Sequence, residues 1–569
     1  MEPGNIQASS IEEKQDTSDG HFEHCPLPKD DRESFQAHDV KRPRGWKFRT
    51  SIAGFSLCLL YVGSQISLYF IGATISFIVE DIGGADKISW LPVANTLAVA
   101  STAPFSGYLQ DLIGRRYIAL TGSAFLIVGA ILVGTAHSFG QAVTGMALTG
   151  AGSGIGELTA LAGVAEIVPV NRRGLYLGLV TICIVPFSPY VMYSQLLSTH
   201  STWRWGMWIT VILNGIACVG TACTYFPKRV NSEKPSRWEI LKEIDYIGGI
   251  TSITGLTLFL VALQSGGYTH PWRSPYVLCT LLIGFLLIAV FVLWEWKGAK
   301  KPMIPKQIFA GQRIVALAFL VAFISGMDFY SVLNFFPLSF QNVYKPSPIA
   351  IGCKGLGPGL SVPFGAALIN MLLSVWIGHN RELLLFSTFI MTVFGGALAA
   401  TTPDTPKMSI AFGTIAGFGI GGVLVPAATI AITVTPDDFI ATTVALSLSA
   451  RVIGGSIGYA LYYNIFATKL NDKLPVYLAT AAIKAGLPVS SSKEFVLALL
   501  TGPATVMDVK GVTPMVLEAA ALASRWAYSD SLAYVWYTSI AFGVIACIAS
   551  FFIGNVRLYL TQRVATQLM

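Results

Sequence analysis

Charged residues are scarce in this chain of 569 residues, and signs of nucleotide or metal chemistry are scarcer still. Only 12% of the residues are Asp, Glu, Lys or Arg, about half the proportion that soluble domains carry. No G-x-x-x-x-G-K-[ST] stretch occurs, which argues against an ATP-driven pump. The seven histidines stand in tails and loops without paired ligand spacing, so we expect no metal site, no cofactor and no enzymatic activity.

Paired cysteines are also lacking. The eight cysteines are scattered singly, most of them inside apolar runs, without a disulfide framework or zinc-ligand spacing. The net charge of +7 does not indicate nucleic-acid binding, because the basic residues stand beside apolar runs. We therefore expect small buried thiols, no nucleic-acid partner, and basic residues that set membrane topology.

The chain is rich in apolar sequence instead. Hydrophobic residues make up 53% of it, and they recur in runs of about 20, the length that crosses a bilayer core of ~30 Å as a helix. This pattern predicts an all-α polytopic membrane protein embedded in a lipid bilayer. We predict fourteen spans, which lie near residues 50–77, 88–110, 117–136, 141–167, 174–197, 205–227, 245–265, 276–296, 314–340, 348–376, 382–401, 408–432, 440–467 and 533–556.

The distribution of basic residues predicts the orientation of these spans. The short loops on the N-terminal side carry about three times as many Lys and Arg as the short loops opposite, which places both termini in the cytoplasm. The long segment 469–532 also carries basic residues but falls outside, and long loops translocate largely regardless of charge. We expect the protein to reside in the plasma membrane, with a vacuolar or vesicle membrane as the alternative.

The spans suggest a division of the chain into segments. Residues 1–48 are polar and poor in aliphatic side chains, which predicts a disordered tail. The remaining predicted segments are a six-helix bundle (49–227), a cytoplasmic loop (228–244), two inserted helices (245–296), a second cytoplasmic loop (297–312), a second six-helix bundle (313–556, including the outer loop 469–532) and a cytoplasmic tail (557–569).

The stretch GYLQDLIGRRY joins spans 2 and 3 and combines an aspartate with two arginines. Gly107 allows two helices to approach closely, and Gly114 permits a tight turn. Asp111, Arg115 and Arg116 can form charge-assisted hydrogen bonds with neighbouring helix ends that hold in one conformation and break in another. The alternative is a pair of topology-setting arginines beside an incidental aspartate. The loop between spans 10 and 11, SVWIGHNREL, resembles GYLQDLIGRRY only weakly and lacks the aspartate.

This stretch resembles the loop signature of the major facilitator superfamily, G-x-L-x-D-x-x-G-R-R. A second matching motif, EIVPVNRRG, ends span 4 and supplies Glu166, Arg172 and Arg173. The resemblance implies that Glu166 pairs with a loop arginine and completes a charge cluster. It also implies the major facilitator fold, here two six-helix bundles and two inserted helices.

A narrower resemblance runs through about residues 85–467, in stretches such as IDYIGGITSITGLTLFL, FISGMDFYSVL and PDDFIATTVALSLSARVIGGSIGY. These stretches are similar to the fungal trichothecene efflux pump family, which is itself similar to fungal siderophore transporters. The resemblance implies a fungal, proton-coupled exporter of small organic toxins. Two positions depart from the superfamily pattern: Met146 replaces the arginine of span 4, and VPFSPY keeps Pro186 but not the glycines of the antiporter signature.

Three ionisable residues lie deep within predicted spans: Glu157, Asp328 and Arg451. Such residues cost at least ~2.5–3.5 kcal/mol on insertion scales and are functional candidates by default. A carboxyl group at that depth can hold a proton at neutral pH, so Glu157 and Asp328 are candidates for proton coupling, with Arg451 as a partner. The alternatives are a packing hydrogen bond for Glu157 and a structural ion pair for Arg451. Glu295 and Lys354 lie near span ends and are weaker candidates.

Aromatic and proline residues in two spans suggest a cavity for a small-molecule substrate. In span 5, PFSPYVMYSQ contains Pro186, which interrupts the helix, followed by Tyr190 and Tyr193. In span 9, Phe329 and Tyr330 follow Asp328. We expect a monomeric secondary transporter that moves its substrate by alternating access. Uptake of siderophore iron or another small molecule is the main alternative, followed by a sensor and a membrane enzyme.

Overall fold

The computed structural model describes residues 48–84, 87, 90–229, 242–267, 269–309, 313–344, 353–501, 506, 509–562 and 564–568. The predicted tail 1–48, except its last residue, and most of the predicted loop 228–244 lie outside these residues. The helices of the described chain are α1 (Phe48–Ile82), α2 (Trp90–Ile113), α3 (Arg115–Gly134), α4 (Phe139–Ile167), α5 (Arg173–Ile182), α6 (Tyr190–His200), α7 (Trp205–Thr224), α8 (Tyr246–Ser265), α9 (Pro275–Lys297), α10 (Arg313–Ser339), α11 (Leu356–Val375), α12 (Asn380–Ala397), α13 (Pro406–Leu424), α14 (Pro426–Val434), α15 (Ile440–Lys484), α16 (Ser492–Thr501) and α17 (Pro514–Phe551).

These helices account for the fourteen predicted spans. Twelve helical segments of the described chain are long and apolar enough to cross a membrane, and α5 with α6 and α13 with α14 each count as one. The helices α2 and α4, with 24 and 29 residues, lie between these segments and have a comparable length. The predicted all-α polytopic fold is therefore confirmed.

The helix α4 shows why the hydropathy of a sequence can be too low to identify a membrane span. Its sequence contains GAGSGIGELTALAG, in which small and polar residues replace large aliphatic ones. Small residues let neighbouring helices approach, and membrane helices use them at interfaces for that reason. Every residue from Gly152 to Glu166 is buried, so α4 packs on all sides against protein.

The fifth span is interrupted where its prolines predict. The helix α5 ends at Ile182, a 3₁₀ turn covers Val185–Phe187, and α6 begins at Tyr190. Pro186 and Pro189 lie in this break because proline supplies no N–H and clashes with the preceding turn of a helix. Such a break is tolerated at membrane depth where the segment packs on protein or lines a cavity.

The helices pack in two groups. The first group (α1–α7) and the second group (α10–α15 with α17) each have extensive internal helix–helix contacts. The inserted helices α8 and α9 pack against each other beside them. We call the side with the basic α2–α3 and α4–α5 connections the basic face, and the side with residues 469–532 the cap face. A short antiparallel pairing of Pro227–Arg229 with Thr566–Leu568 lies outside the helices.

The segment 469–532 is more ordered than the predicted loop. The helix α15 continues without interruption through Pro475 to Lys484, and α17 already begins at Pro514. With α16 they enclose a small hydrophobic core of their own, which contains Leu478, Leu487, Phe495, Val506 and Val516 among others. The helices that contain spans 13 and 14 therefore extend beyond the predicted spans, because the loss of apolar character marks where a helix is expected to leave the membrane and not where the helix ends. A groove of about 570 Å³ lies between the extensions of α15 and α17.

Candidate functional site

Asp111 joins the two groups of helices on the basic face. It lies at the end of α2, and its carboxylate accepts hydrogen bonds from the backbone N–H groups of Ala441 (3.2 Å) and Thr442 (2.7 Å) and from the Thr442 hydroxyl (2.7 Å). The first N–H groups of a helix have no partner inside that helix, and the helix dipole favours an anion there. Asp111 therefore caps the first turn of α15 from the opposite group.

The glycines of the same stretch have the predicted geometry. A Cβ atom on Gly107 would lie 2.4 Å from the Cβ of Ala445, so the backbones of α2 and α15 are in close contact. Gly114 has a φ angle of +109°, which lets α3 begin directly after α2.

Arg115 and Glu166 form the ion pair that the resemblance implies. They belong to α3 and α4, and Arg115 also donates to the carbonyl of Ala162 (2.7 Å) and contacts Asp111 (3.5 Å). The Arg115 side chain is only 3% exposed, so each of its bonds is shielded from water. Arg115 thus connects the capping aspartate to the end of α4, as a charge-assisted network within the first group.

Arg173 forms a second connection between the groups. Its guanidinium donates to the carbonyl of Ala165 in α4 (2.8 Å), to the carbonyl of Ile432 in α14 (2.9 Å) and to the carboxylate of Asp437 (3.3 Å). The neighbouring Arg172 is exposed, and among the described residues no hydrogen bond or ion pair of its side chain is found.

Arg116 bonds within the first group. It donates to the carbonyl of Ala222 (2.8 Å) and stacks over the ring of Phe226, 3.9 Å from its centroid. The predicted cluster is thus divided between residues that cross to the second group, namely Asp111 and Arg173, and residues that organise the first group.

Sequence reasoning missed Ser374, which makes a third connection. Its hydroxyl accepts a hydrogen bond from the backbone N–H of Leu175 (2.9 Å), in the first turn of α5. A Cβ atom on the adjacent Gly174 would lie 2.3 Å from the carbonyl oxygen of Asn370 in α11. Ser374 is the first residue of SVWIGHNREL, the stretch of the second half that corresponds to GYLQDLIGRRY in the first half. This correspondence was the signal in the sequence that could have identified Ser374.

Glu157 and Arg451 meet at membrane depth. The Glu157 carboxylate in α4 accepts from the Arg451 guanidinium in α15 at 2.7 Å, and the Gln65 amide in α1 donates to its other oxygen at 2.9 Å. Glu157 is only 4% exposed. The structural alternative considered from the sequence, an ion pair for Arg451, is therefore present, and the pair connects the first group to the second.

Gln65 was not predicted, although the sequence carries a signal for it. Tyr61, Gln65 and Tyr69 are spaced four residues apart in YVGSQISLY and so share one face of α1. Tyr61, Tyr69 and Tyr330 all interact electrostatically with the Glu157–Arg451 pair. Polar groups repeated along one face of an otherwise apolar span indicate a face turned towards a site.

Asp328 lies apart from that pair, in the interior of the second group. It is 6% exposed, and its Oδ1 atom has no hydrogen-bond partner among the described residues. The Tyr462 hydroxyl in α15 interacts with the carboxyl group electrostatically but likewise has no hydrogen bond of acceptable geometry in the described chain. A buried carboxyl oxygen without a partner is costly unless the group carries a proton.

The predicted aromatic residues occupy different positions. Tyr330 lines a narrow cavity of about 50 Å³ between the groups, and Phe329 meets its ring edge to face at 5.4 Å. Tyr190 stacks on Tyr69 of α1, with ring centroids 4.7 Å apart. Tyr193 packs against the core of the first group, whereas Pro186 is exposed at the helix break. A cavity of about 50 Å³ holds no more than a few water molecules, so the groups must separate further before an organic molecule can enter.

Comparison with known proteins identifies relatives over nearly the whole chain. The sequence profile of the family described as "Fungal trichothecene efflux pump (TRI12)" matches residues 40–569. "Trichothecene efflux pump TRI12" of Fusarium sporotrichioides is 26% identical over 538 residues, which cover 91% of this chain and 88% of that protein. "Efflux pump dotC" of Dothistroma septosporum (strain NZE10 / CBS 128990) is 28% identical over 477 residues, which cover 81% of this chain and 77% of that protein.

Solved structures of low sequence identity share the fold. The structure of the "MFS (major facilitator superfamily) proton:xylose symporter XylE bound to 6-bromo-6-deoxy-D-glucose" aligns with a TM-score of 0.55 at 12% identity, over 90% of this chain and 97% of that one. The "human organic anion transporter MFSD10 (TETRAN)" aligns with a TM-score of 0.51 at 11% identity, over 88% of this chain and 100% of that one. The helical arrangement is therefore that of the major facilitator superfamily.

Proposed function

The chain belongs to the fungal trichothecene efflux pump family of major facilitator transporters, and we propose that it exports small organic toxins or secondary metabolites in exchange for protons. Its relatives in several fungi are named as efflux pumps, which supports export over siderophore uptake. The distribution of basic residues supports a cytoplasmic basic face and a cap face on the opposite side of the membrane. An exporter that removes its substrate from the cell would reside in the plasma membrane, which is where we place this protein.

The observation that carries the proton-coupling proposal is the Glu157–Arg451 ion pair, 2.7 Å long, which connects the two groups of helices. A proton on Glu157 removes one of the two charges and weakens the attraction between α4 and α15. Protonation at this position therefore changes how firmly the two groups hold together. A residue with this property can couple proton movement to alternating access, because each state of the carboxyl group favours a different arrangement.

Asp328 is the second candidate for proton coupling. Its unpaired Oδ1 atom supports a protonated carboxyl group in this arrangement of helices. The Tyr462 hydroxyl beside it and the hydrophobic cluster around the neighbouring Met327 belong to the second group, so we infer that its charge state acts on the packing of α10 and α15. We therefore assign the main coupling role to Glu157 and an accessory role to Asp328.

Transport in sealed vesicles with an imposed pH gradient tests this assignment. We expect the wild-type protein to drive a trichothecene uphill and a ferric siderophore not at all, with loss of accumulation on addition of a protonophore. Glu157→Gln should abolish uphill transport but retain exchange of labelled for unlabelled trichothecene, because binding does not need the coupled proton. Glu80→Gln, a change at an exposed carboxylate, is the matched control and should behave as the wild type.

The results separate the parts of the proposal. Uphill transport at wild-type rates by both Glu157→Gln and Asp328→Asn rules out either residue as the coupling site. Accumulation of the siderophore in place of the trichothecene overturns the export assignment. Wild-type accumulation that a protonophore leaves unchanged contradicts proton coupling altogether.

The double variant Glu157→Gln/Arg451→Gln distinguishes a coupling role from a structural one. Removing only one member leaves an unpaired buried charge, which costs about 3–5 kcal/mol of stability. Glu157→Gln alone should therefore lower the amount of folded protein in the membrane, because the Arg451 guanidinium cannot deprotonate, and the double variant should restore it. Proton-driven transport should stay absent in the double variant.

A further inference from the structure

The inserted helix α8 contacts both groups, one at each of its ends. At the basic face, the Tyr108 hydroxyl of α2 donates to the carbonyl of Glu243 (3.1 Å) and accepts from the backbone N–H of Asp245 (3.2 Å), the N-cap of α8. One turn further along α8, Gly249 lies directly against the ring of Phe105, where an added Cβ would approach to 2.5 Å. This end of α8 is therefore fixed to the first group.

Most of α8 also packs on the first group. Leu260 is fully buried in the hydrophobic cluster that the helices of the first group dominate. Leu256, Phe259 and Leu263 are partly buried and pack against the same cluster. A helix of 20 residues is about 30 Å long and bends little, so α8 moves with the surface to which most of it is packed.

The end of α8 at the cap face is bonded to the second group instead. The side-chain amide of Gln264 donates to the backbone carbonyl of Ser456 in α15 at 3.1 Å. In the connection that follows α8, the Trp272 indole donates to the Asn464 side chain, also at 3.1 Å. A glutamine amide in an otherwise apolar span needs such a partner, because an unsatisfied polar group is costly in the membrane.

Gln264 also forms part of the wall of the narrow cavity between the groups. The cavity of about 50 Å³ is bounded by residues of α1, α2, α8, α10 and α15, including Leu68, Thr96, Gln264, Tyr330, Asn334 and Ser456. Of the two inserted helices, α8 thus supplies a side chain to the space that must open towards the cap face if a substrate is to leave there.

We propose that Gln264 is a gate residue of the transport cycle, and that α8 carries it away from Ser456 when the cavity opens at the cap face. The proposal rests on the alternating-access export proposed above. Separation of the two groups at the cap face moves α8 with the first group, since its opposite end and most of its length are fixed there. The Gln264–Ser456 bond must then break once in each cycle, whereas the contact between Gly249 and Phe105 persists.

Reversible cross-linking tests this difference between the two ends of α8. The variant Gln264→Cys/Ser456→Cys is bridged with a short bismethanethiosulfonate reagent, and Phe105→Cys/Gly249→Cys is bridged in the same way as the matched control. We expect the first bridge to reduce transport of a trichothecene at least tenfold and a reducing agent to restore it. The control bridge should change transport less than twofold. The wild type treated with the reagent reports any effect of the native cysteines.

A second readout does not depend on transport. Thr96→Cys, placed in the cavity wall, is labelled from the cap face with a membrane-impermeant maleimide. Its labelling rate should fall at least fivefold when the Gln264–Ser456 bridge is present and should be unchanged by the control bridge. Gln264→Leu keeps the size of the side chain but removes the donor, and it should raise the labelling rate.

The two readouts keep the gate and the proposed export function distinguishable. If neither the wild type nor the cysteine variants before cross-linking transport a trichothecene, the export assignment is refuted. The labelling test remains valid in that case, because it does not depend on transport. Equal effects of the two bridges, or labelling of Thr96→Cys that neither bridge alters, overturn the gate proposal. If the paired cysteine variant does not reach the membrane, the labelling rate of Gln264→Leu alone decides the question: an unchanged rate contradicts the proposal.

Discussion

The two halves of the protein cross each other twice on the basic face, in the same geometry but with different chemistry. At one crossing, the end of α2 meets the start of α15, and the Asp111 carboxylate accepts two backbone N–H bonds and one hydroxyl bond. At the other, the end of α11 meets the start of α5, and the Ser374 hydroxyl accepts one backbone N–H bond. In both, a glycine brings the helices close together.

This contrast indicates that close packing and hydrogen bonding contribute separately to the stability of the basic face. A hydrogen bond to a charged group contributes about 1.5–3 kcal/mol, whereas one between neutral groups contributes about 0.5–1.5 kcal/mol. The crossing of α2 and α15 should therefore hold the face closed, and the crossing of α11 and α5 should mainly align the helices. Variants at matched positions test whether the two crossings differ in this way.

The largest effects should come from the two glycines, because both crossings depend on close packing. A methyl group on Gly107 would lie 2.4 Å from the Cβ of Ala445, and one on Gly174 would lie 2.3 Å from the Asn370 carbonyl oxygen. We expect Gly107→Ala and Gly174→Ala each to reduce export of a trichothecene more than about tenfold, since overpacking of this kind costs about 1–3 kcal/mol.

Gly72→Ala is the matched control, because a methyl group there has no neighbour within 4 Å in the described structure. It should leave export within twofold of the wild type. Full export by Gly107→Ala at normal membrane levels would show that the face does not need this close contact.

Asp111→Asn should have the next largest effect. An amide accepts fewer hydrogen bonds than a carboxylate, and it loses the attraction to the helix dipole of α15 and to Arg115. A loss of about 1.4 kcal/mol shifts an equilibrium tenfold, so we expect export to fall about tenfold and the basic face to open more often. Labelling of Val444→Cys by an impermeant maleimide from the basic face should become faster by a similar factor.

The control for Asp111→Asn is Asp438→Asn, because Asp438 lies near the same junction but is exposed. It should change neither export nor labelling by more than twofold. If both aspartate variants slow export equally, a general effect of charge on this face replaces the capping role of Asp111.

The sequence predicted the two crossings unequally. The spacing of GYLQDLIGRRY indicated the charged group, the close contact and the turn, because each of these depends on local geometry and residue type. The partner of Asp111 was not predicted, since it lies about 330 residues further along the chain. Which backbone N–H groups face a carboxylate depends on how helices from the two halves pack, and local spacing does not encode that.

The same reason explains what was missed at membrane depth. Glu157, Asp328 and Arg451 were recognised because an ionisable residue in an apolar run is conspicuous. Which of the two carboxyl groups pairs with Arg451 was not predicted, since the Glu157–Arg451 pair joins residues 294 positions apart. Asp328, which resembles Glu157 in the sequence, lies within one group and lacks that partner. Glu157 and Asp328 are both isolated carboxyl groups in apolar stretches of the sequence, but in the described structure only Glu157 has an arginine partner in the other group of helices.

Arg173→Lys should have a smaller effect than Asp111→Asn. Arg173 donates to acceptors in both groups with three nitrogen atoms of one planar guanidinium, and an ammonium group on a flexible stem cannot reproduce that arrangement. The charge itself is kept, so we expect export to fall only about three- to fivefold, by analogy with the loss of a single hydrogen bond of about 0.5–1.5 kcal/mol.

Arg172→Lys provides the control in the adjacent position, because the Arg172 side chain is exposed. It should leave export unchanged within twofold in the vesicle assay. An equal loss in both variants would assign the effect to the basic charge of the α4–α5 connection and would argue against a specific role for the hydrogen bonds of Arg173 between the groups.

Ser374→Ala should have the smallest effect and is the most direct test of the comparison. It removes the acceptor for the Leu175 N–H but keeps the contact between Gly174 and α11, so only a neutral bond of about 0.5–1.5 kcal/mol is lost. We expect export to fall no more than about twofold, because the freed N–H at a helix start can be satisfied by water at the membrane surface. Ser361→Ala, in the same helix, removes a hydroxyl whose one hydrogen bond among the described residues is to the Pro358 carbonyl of its own helix, and it serves as the control. A loss with Ser374→Ala as large as that with Asp111→Asn would show that the two crossings are equivalent and that charge does not distinguish them.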